Sequence, residues 1–330
     1  MTIKIDIFSG FLGAGKTTLI KKLMEEKLKS EKLVIIENEF GEIGIDGSIL
    51  KKANAQVKEI NSGCICCTLV GDFGKAVEEV IGKYQPDRII IEPSGVGKLS
   101  DVIKACEKVK VKEDLKINMV VTVVDALKFQ VYIANFGEFY ENQIKHAKTI
   151  ILSRTQLQDG RKLESIAAAL HKLNSKANIV TTPWEVLQAE DIISLAEQSA
   201  AASLENQVQA LRKVIIKGNH HHKGCKCGCG GETKNHKADE VFEVWGIETP
   251  KVMEEQQLKS ALNALTDETR FGMVLRGKGI LQTPRGWLQF DYVPGELNIV
   301  GAAPDYTGKL CIIGSQLNKK ELEKLFEIKR

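Results

Sequence analysis

Short apolar runs and helically spaced segments alternate from residue 3 to about residue 199. The runs are rich in Ile and Val and lie at residues 3–8, 33–36, 57–60, 88–91, 119–124, 149–152 and 178–180. Apolar residues repeat with a helical period at 17–28, 70–84, 99–109, 161–173 and 184–198. Because parallel strands need long crossovers, usually helices, this alternation predicts an α/β domain with a mainly parallel sheet.

The alternation stops at residues 218–238, which are dense in Gly, His, Cys and Lys and contain almost nothing apolar. Such a composition cannot build a core and is typical of a flexible connector. Strands are predicted again at 241–247, 272–281, 287–293, 297–302 and 310–313, with helices near 254–265 and 318–328. We therefore expect a first domain over 1–200, a connector over 201–239 and a small α+β domain over 240–330.

The composition of the chain excludes several classes of protein but does not identify a function. The 330 residues are 43% hydrophobic and 27% charged, which excludes disorder, and the formal charge of +3 gives no basic footprint for nucleic acid. No apolar run approaches the roughly 18 residues of a membrane helix, and the N-terminus lacks the apolar segment of a signal peptide. We expect a cytoplasmic protein with neither nucleic acid nor membrane as a partner.

A phosphate-binding loop follows the first predicted strand. The sequence GFLGAGKT satisfies G-x-x-x-x-G-K-[ST] between a strand and a helix, the context that this motif requires. Glycines allow successive N–H groups to converge on phosphate oxygens, the Lys contacts the β- and γ-phosphates, and the Thr hydroxyl binds Mg²⁺. The predicted nucleotide ligands here are Gly10, Gly13, Ala14, Gly15, Lys16, Thr17 and Thr18.

A second nucleotide element is predicted at the end of the strand at 88–91. The strand delivers Glu92 to the carboxyl edge of the sheet, where ligands bind in open α/β folds. Glu92 is a candidate to hold Mg²⁺ through a water or to orient the attacking water. Gly95 is a candidate to donate its N–H to the γ-phosphate and to move when that phosphate leaves. We count both residues, with Lys16, as catalytic.

Three of the eight cysteines lie within four residues, in the segment Gly63-Cys64-Ile65-Cys66-Cys67. Thiolates select Zn²⁺ and other late transition metals, and the acidic segment at 37–42, after the second strand, offers a further ligand close to the phosphate loop. Buried cysteines and a redox dithiol are the alternatives. The isolated Cys106 and Cys311 lie in apolar patterns, which are typical of core positions.

The connector holds a second group of candidate metal ligands. Imidazole and thiolate both suit late divalent metals, and the glycines between them leave the ligands free to wrap an ion. The residues are His220, His221, His222, Cys225, Cys227 and Cys229.

Taken together, these motifs resemble the CobW-type family of P-loop GTPases, which includes CobW, HypB and UreG. The matching segments are GFLGAGKTT, ENEFGEIGID, GCICCTL and the turn from Glu92 to Gly95, followed by a His-rich connector and a small C-terminal domain. The resemblance implies GTP hydrolysis coupled to binding and delivery of Zn²⁺, Co²⁺ or a related ion to a client metalloprotein or metal-cofactor enzyme. It also implies that Glu37, Glu42, Cys64, Cys66 and Cys67 are metal ligands, and it allows a nucleotide-dependent homodimer.

The chain departs from this family at the base-recognition motif. The family binds guanine with an N-K-x-D-like motif, whereas this chain has Ser153-Arg154-Thr155-Gln156. Arg154 retains a side chain that stacks on a base, but a neutral Gln replaces the carboxylate that accepts two hydrogen bonds from guanine. We expect GTP, with ATP as the alternative, and Ser153 and Arg154 at the base.

The resulting hypothesis is a metal-binding GTPase that acts as a metallochaperone or metal-insertion factor. Two other classes fit part of the sequence. One is a P-loop kinase or phosphotransferase with structural cysteines, and the other is a metal buffer with a vestigial nucleotide site.

Overall fold

The computed structural model describes residues 2–38, 56–60, 70–110, 114–197, 241–304 and 307–327. Seven strands form the sheet of the first domain: β1 Ile3–Gly10, β2 Leu33–Asn38, β3 Gln56–Ile60, β4 Arg88–Glu92, β5 Leu115–Asp125, β6 Thr149–Ser153 and β7 Asn178–Val180. Six helices accompany them in the described part of this domain: α1 Lys16–Glu26, α2 Val70–Tyr84, α3 Leu99–Lys110, α4 Phe129–Lys145, α5 Gly160–Leu173 and α6 Ala189–Glu197.

The sheet is parallel throughout, in the order β3-β2-β4-β1-β5-β6-β7. Its central strand is β1, which carries the phosphate loop at its carboxyl end. Apolar side chains fill both faces of the sheet and form two separate clusters, as the near-continuous Ile and Val runs of its strands require. The predicted α/β class and all seven predicted strands are confirmed.

The helices of the first domain differ from the prediction at two places. Helix α4, which runs from Phe129 to Lys145 with non-helical dihedral angles at Phe136, was not among the predicted helices, although its buried residues recur with helical spacing. The helix predicted at 184–198 begins only at Ala189. The reason for the late start is that Trp184 lies in a turn and packs on the phosphate loop instead.

The second domain is a five-stranded antiparallel sheet with helices against one face. Its strands are β8 Glu243–Thr249, β9 Met273–Thr283, β10 Gly286–Val293, β11 Glu296–Ala302 and β12 Gly308–Ser315, in the order β11-β10-β9-β12-β8. The described helices are α7 Glu255–Ala264, the short α8 Glu268–Phe271 and α9 Lys319–Leu325. This agrees with the predicted α+β class, in which the sequence pattern did not reveal α8.

An aromatic cluster joins the two domains. Phe242, which precedes β8, is almost fully buried, and its ring centroid lies 5.2 Å from those of Phe136 and Phe139 on α4. The ring of Phe11, inside the phosphate loop, lies 5.9 Å from the ring of Phe242. The cores of the two domains are therefore continuous next to the phosphate loop.

Among the helices in the described ranges, none is long and apolar enough to cross a membrane.

Candidate nucleotide site

The phosphate loop connects β1 to α1, and its curled backbone requires glycine inside the loop. Gly13 and Gly15 have φ angles of +68° and +98°, in the left-handed region that favours glycine. Neither position has room for a side chain. A Cβ at Gly13 would lie 2.3 Å from Cγ1 of Val293, and a Cβ at Gly15 would lie 2.9 Å from the Trp184 ring. Lys16 follows, with its Nζ donating a hydrogen bond to the carbonyl of Phe11 at 3.3 Å. The loop thus has the curled backbone that a phosphate cradle requires.

Thr17 and Glu92 meet at the carboxyl edge of the sheet. The Thr17 hydroxyl lies 2.9 Å from Oε1 and 3.1 Å from Oε2 of Glu92, which ends β4. Hydroxyl and carboxylate oxygens are the hard ligands that Mg²⁺ prefers, so the donor set fits this cofactor. The predicted juxtaposition of the two elements is present.

Gly95 packs directly against the phosphate loop. A Cβ at Gly95 would lie 2.8 Å from the backbone nitrogen of Leu12, so only a glycine allows this approach. Its carbonyl accepts a hydrogen bond from Nε2 of Gln143 on α4 at 3.0 Å, and the same Nε2 donates to the carbonyl of Gly97 at 2.9 Å. The turn after β4 is therefore tied to α4 as well as to the phosphate loop.

Arg154 is held in place on the side of the site where the nucleotide base is expected. It follows β6 with a left-handed φ of +57°, and its Nη1 donates to the Gly13 carbonyl and to Oδ2 of Asp125, both at 3.0 Å. Asp125 ends β5 in register with Ser153, and both residues are buried. Burial raises the pKa of Asp125, an effect that the Arg154 guanidinium opposes. Arg154 is thus held against the phosphate loop by a buried carboxylate, whereas Gln156 is exposed.

The second domain forms one wall of the cavity at the phosphate loop. The cavity has a volume of about 370 Å³, and its lining includes Lys16, Thr17, Thr18, Lys21, Glu92 and Arg154 of the first domain. Five residues of β9, β10 and β11 complete it: Arg276, Asp291, Val293, Glu296 and Asn298. Glu296 also forms an ion pair with Nη2 of Arg154.

Of the predicted ligands for the transition metal, only Glu37 is among the described residues. Glu37 is buried at the end of β2, in register with Glu92 on one side and Glu59 on the other. The other metal-ligand predictions lie outside the described residues: Glu42, Cys64, Cys66, Cys67, His220, His221, His222, Cys225, Cys227 and Cys229. Within the described part of the chain, no group of three or more His, Cys, Asp or Glu side chains could hold a metal ion.

Sequence reasoning missed several residues of this site. Asp125 follows an apolar strand as Glu92 does, so the same argument could have identified it. Trp184 was expected in a helix, and no pattern indicated its contact with the loop. The residues from the second domain had no sequence signal, because their place in the site depends on how the domains dock.

A parallel sheet with a glycine-rich loop after its central strand, and a carboxylate beside the loop threonine, defines a P-loop nucleotide-binding protein. Two known domain families match the chain. The CobW/HypB/UreG nucleotide-binding domain matches residues 4–181, and the cobalamin synthesis protein CobW C-terminal domain matches residues 242–328. The chain therefore belongs to the CobW/HypB/UreG family, as its motifs indicated.

Several relatives carry names that refer to zinc. The zinc chaperone CobW of a Sinorhizobium species is 27% identical over 310 residues, which cover 86% of this chain and 82% of that protein. The zinc chaperone YjiA of Escherichia coli K12 is 29% identical over 185 residues, 54% of this chain and 57% of that protein. The zinc-regulated GTPase metalloprotein activator 1 of Schizosaccharomyces pombe is 27% identical over 208 residues, 60% of this chain and 49% of that protein.

A solved structure spans the whole chain. It is the Zn(II)-bound YjiA GTPase from E. coli, which covers 100% of this chain and 99% of its own, with a TM-score of 0.45 and 20% identity.

Proposed function

We propose that this protein is a GTPase that binds zinc or a related late transition metal and couples nucleotide hydrolysis to delivery of that metal to a client protein. The observation that carries the proposal is the phosphate loop with Thr17 and Glu92 in hydrogen-bonding contact at its end. The names of the zinc chaperones and of the zinc-regulated GTPase among its relatives support the metal. The site of action is the cytoplasm.

The nucleotide binds with its phosphates on the loop from Gly10 to Thr18. Backbone N–H groups and Lys16 bind the phosphate oxygens, while Ser153 and Arg154 lie on the base side. Thr17 and Glu92 hold Mg²⁺, which when bound neutralises charge on the phosphates. Glu92 orients the attacking water, and the Gly95 N–H donates to the γ-phosphate.

The metal binds beside this nucleotide site. Glu37 lies in register with Glu92 on the neighbouring strand, and paired strands are about 4.8 Å apart. β3 ends at Ile60, and the four residues from there to Cys64 span at most about 14 Å. Glu37, Glu42, Cys64, Cys66 and Cys67 supply the ligands. A metal held there is close enough to the γ-phosphate for its affinity to depend on whether that phosphate is present.

The connector and the quaternary structure complete the proposal. The imidazoles and thiols of residues 220–229 capture metal and pass it to the cysteine triplet. The protein forms a homodimer when it binds the triphosphate.

Phosphate release tests the enzymatic part of this proposal. We expect Mg²⁺-dependent release of phosphate from GTP, a slower reaction with ATP, and a loss of about 100-fold in the Lys16→Ala variant. Release from neither nucleotide would contradict the proposal and favour a metal buffer with a vestigial site. Transfer of the phosphate to an added acceptor instead of water would favour the kinase class.

A further inference from the structure

One face of the second sheet is directed at the phosphate loop. Lys278 pairs with Asp291 across β9 and β10, and Asp291 pairs with Asn298 across β10 and β11. Side chains alternate between the two faces of a strand, so Arg276, two residues before Lys278, lies on the same face as these residues. The residues of the opposite face, such as Phe290 and Tyr292, are buried in the core of the second domain.

Val293 fixes the distance between this face and the loop. It belongs to the same face, since it lies two residues after Asp291 on β10. Its Cγ1 would lie 2.3 Å from a Cβ at Gly13, so the sheet rests directly on the backbone of the phosphate loop. With the aromatic contacts of Phe242 next to it, this arrangement places the strands of the second domain within the nucleotide cavity.

Arg276 is the cation that this face contributes to the cavity. Its Nε and Nη2 bind Oδ1 and Oδ2 of Asp291 at 3.1 and 2.8 Å, a two-point contact that fixes the plane of the guanidinium. Arg276 lines the cavity together with Lys16 and Thr17, the residues at which the phosphates are expected. A guanidinium suits phosphate oxygens because its N–H groups match their geometry.

From this geometry we infer that Arg276 is a nucleotide-binding residue, supplied by the second domain, that contacts the phosphates held by the loop of the first. The inference rests on the proposed function and adds a ligand that the phosphate-loop motif does not include. A bound nucleotide then bridges the two domains. Asp291 holds the guanidinium in place before binding and competes with the phosphates for it.

Three variants of the full chain test the inference, with a GTP analogue that resists hydrolysis and with GDP as probes. Arg276→Ala should weaken binding of the GTP analogue about 10- to 100-fold, the effect of losing a charge-assisted hydrogen bond. Arg276→Lys should retain part of the affinity, because it keeps the charge without the fork. The exposed Arg285, in the turn between β9 and β10, provides the matched control, and Arg285→Ala should stay within about twofold of the wild type.

The Asp291→Asn variant distinguishes a direct contact of Arg276 with the phosphates from a structural role of the Arg276–Asp291 ion pair. It breaks the ion pair but keeps the cation, so it should leave affinity for the GTP analogue within about threefold or increase it. The inference would be overturned if Asp291→Asn lost as much affinity as Arg276→Ala, or if Arg276→Ala bound the analogue as the wild type does. A wild-type protein that bound neither GTP nor ATP would instead contradict the proposed function, and the inference with it.

Discussion

The hydroxyl of Thr17 lies within hydrogen-bonding distance of both carboxylate oxygens of Glu92, at 2.9 and 3.1 Å. These residues are distant in sequence and belong to different elements, α1 and the end of β4. The contact joins the Mg²⁺-binding position of the phosphate loop to the acidic end of a neighbouring strand. It gives the proposed hydrolysis its most direct test.

Replacing Glu92 with Gln should lower the rate of GTP hydrolysis by about 100-fold or more, because Gln keeps the size but loses the charge that orients water and holds Mg²⁺. Affinity for GDP should change by only a few-fold. Single-turnover phosphate release and fluorescent GDP titration measure the two quantities. Hydrolysis at the wild-type rate would remove Glu92 from the mechanism.

Phe242 provides a test of the contact between the domains. The side chain is almost fully buried among Phe11, Phe136 and Phe139, so Phe242→Ala should reduce the free energy of unfolding by about 3–5 kcal/mol. Val300→Ala is the control, since Val300 is 48% exposed and its loss should cost less than about 0.5 kcal/mol. Chemical denaturation of the full chain measures both values. Equal stability of the two variants would show that the domains do not share a core.

The cysteines should divide into two chemical groups. Burial, with a smaller contribution from the nearby Glu107 carboxylate, raises the pKa of Cys106 to about 12, so its thiol stays protonated at neutral pH. Cys106→Ala should therefore leave zinc stoichiometry unchanged, whereas Cys66→Ala should lower it.

Alkylation by iodoacetamide provides a second measurement of the same difference. Mass-spectrometric mapping of the folded protein near neutral pH should find Cys106 unmodified, because its thiol is both buried and protonated. Rapid modification of Cys106 at pH 7, or loss of zinc in Cys106→Ala, would contradict this division.

Gln156 determines the expected base preference. The side chain is exposed in the 3₁₀ turn that follows Arg154, so an Asp can be introduced there without disturbing the core. Gln156→Asp should raise the preference for GTP over ATP by about 10-fold or more, because a carboxylate accepts two hydrogen bonds from guanine. Competition of both nucleotides for one fluorescent analogue measures the preference. An unchanged ratio would mean that the base is recognised elsewhere.

Much of this architecture could be predicted from local patterns. The strands of a parallel sheet that is buried on both faces appear in the sequence as short apolar runs. All seven strands of the first sheet, together with the phosphate loop, could be predicted from the sequence in this way. Helix α4 is not among the predicted helices, although Phe129, Tyr132, Phe136 and Tyr140 recur on its buried face with helical spacing. The position of Glu92 followed from the rule that strand ends bind ligands, and Asp125 obeys the same rule.

The rest depends on tertiary docking. Arg276 lies more than 250 residues from the phosphate loop in sequence, and its strand carries no nucleotide motif. The packing of Val293 on Gly13 and the ring contact of Phe242 with Phe11 bring it into the cavity. In the same way, the helix predicted from Trp184 begins only at Ala189, because the Trp184 ring covers Gly15 instead. Sequence periodicity contains no information about such contacts between separate elements.

The central claim is that nucleotide state controls metal binding, and zinc affinity measured in four states tests it most directly. The protein would be titrated with Zn²⁺ against a competing chelator without nucleotide, with GDP, with GTP and with a GTP analogue that resists hydrolysis. Coupling requires that the metal bind the states with different affinity, and we expect at least about a tenfold difference between the analogue and GDP. Identical affinities in all four states would contradict the account.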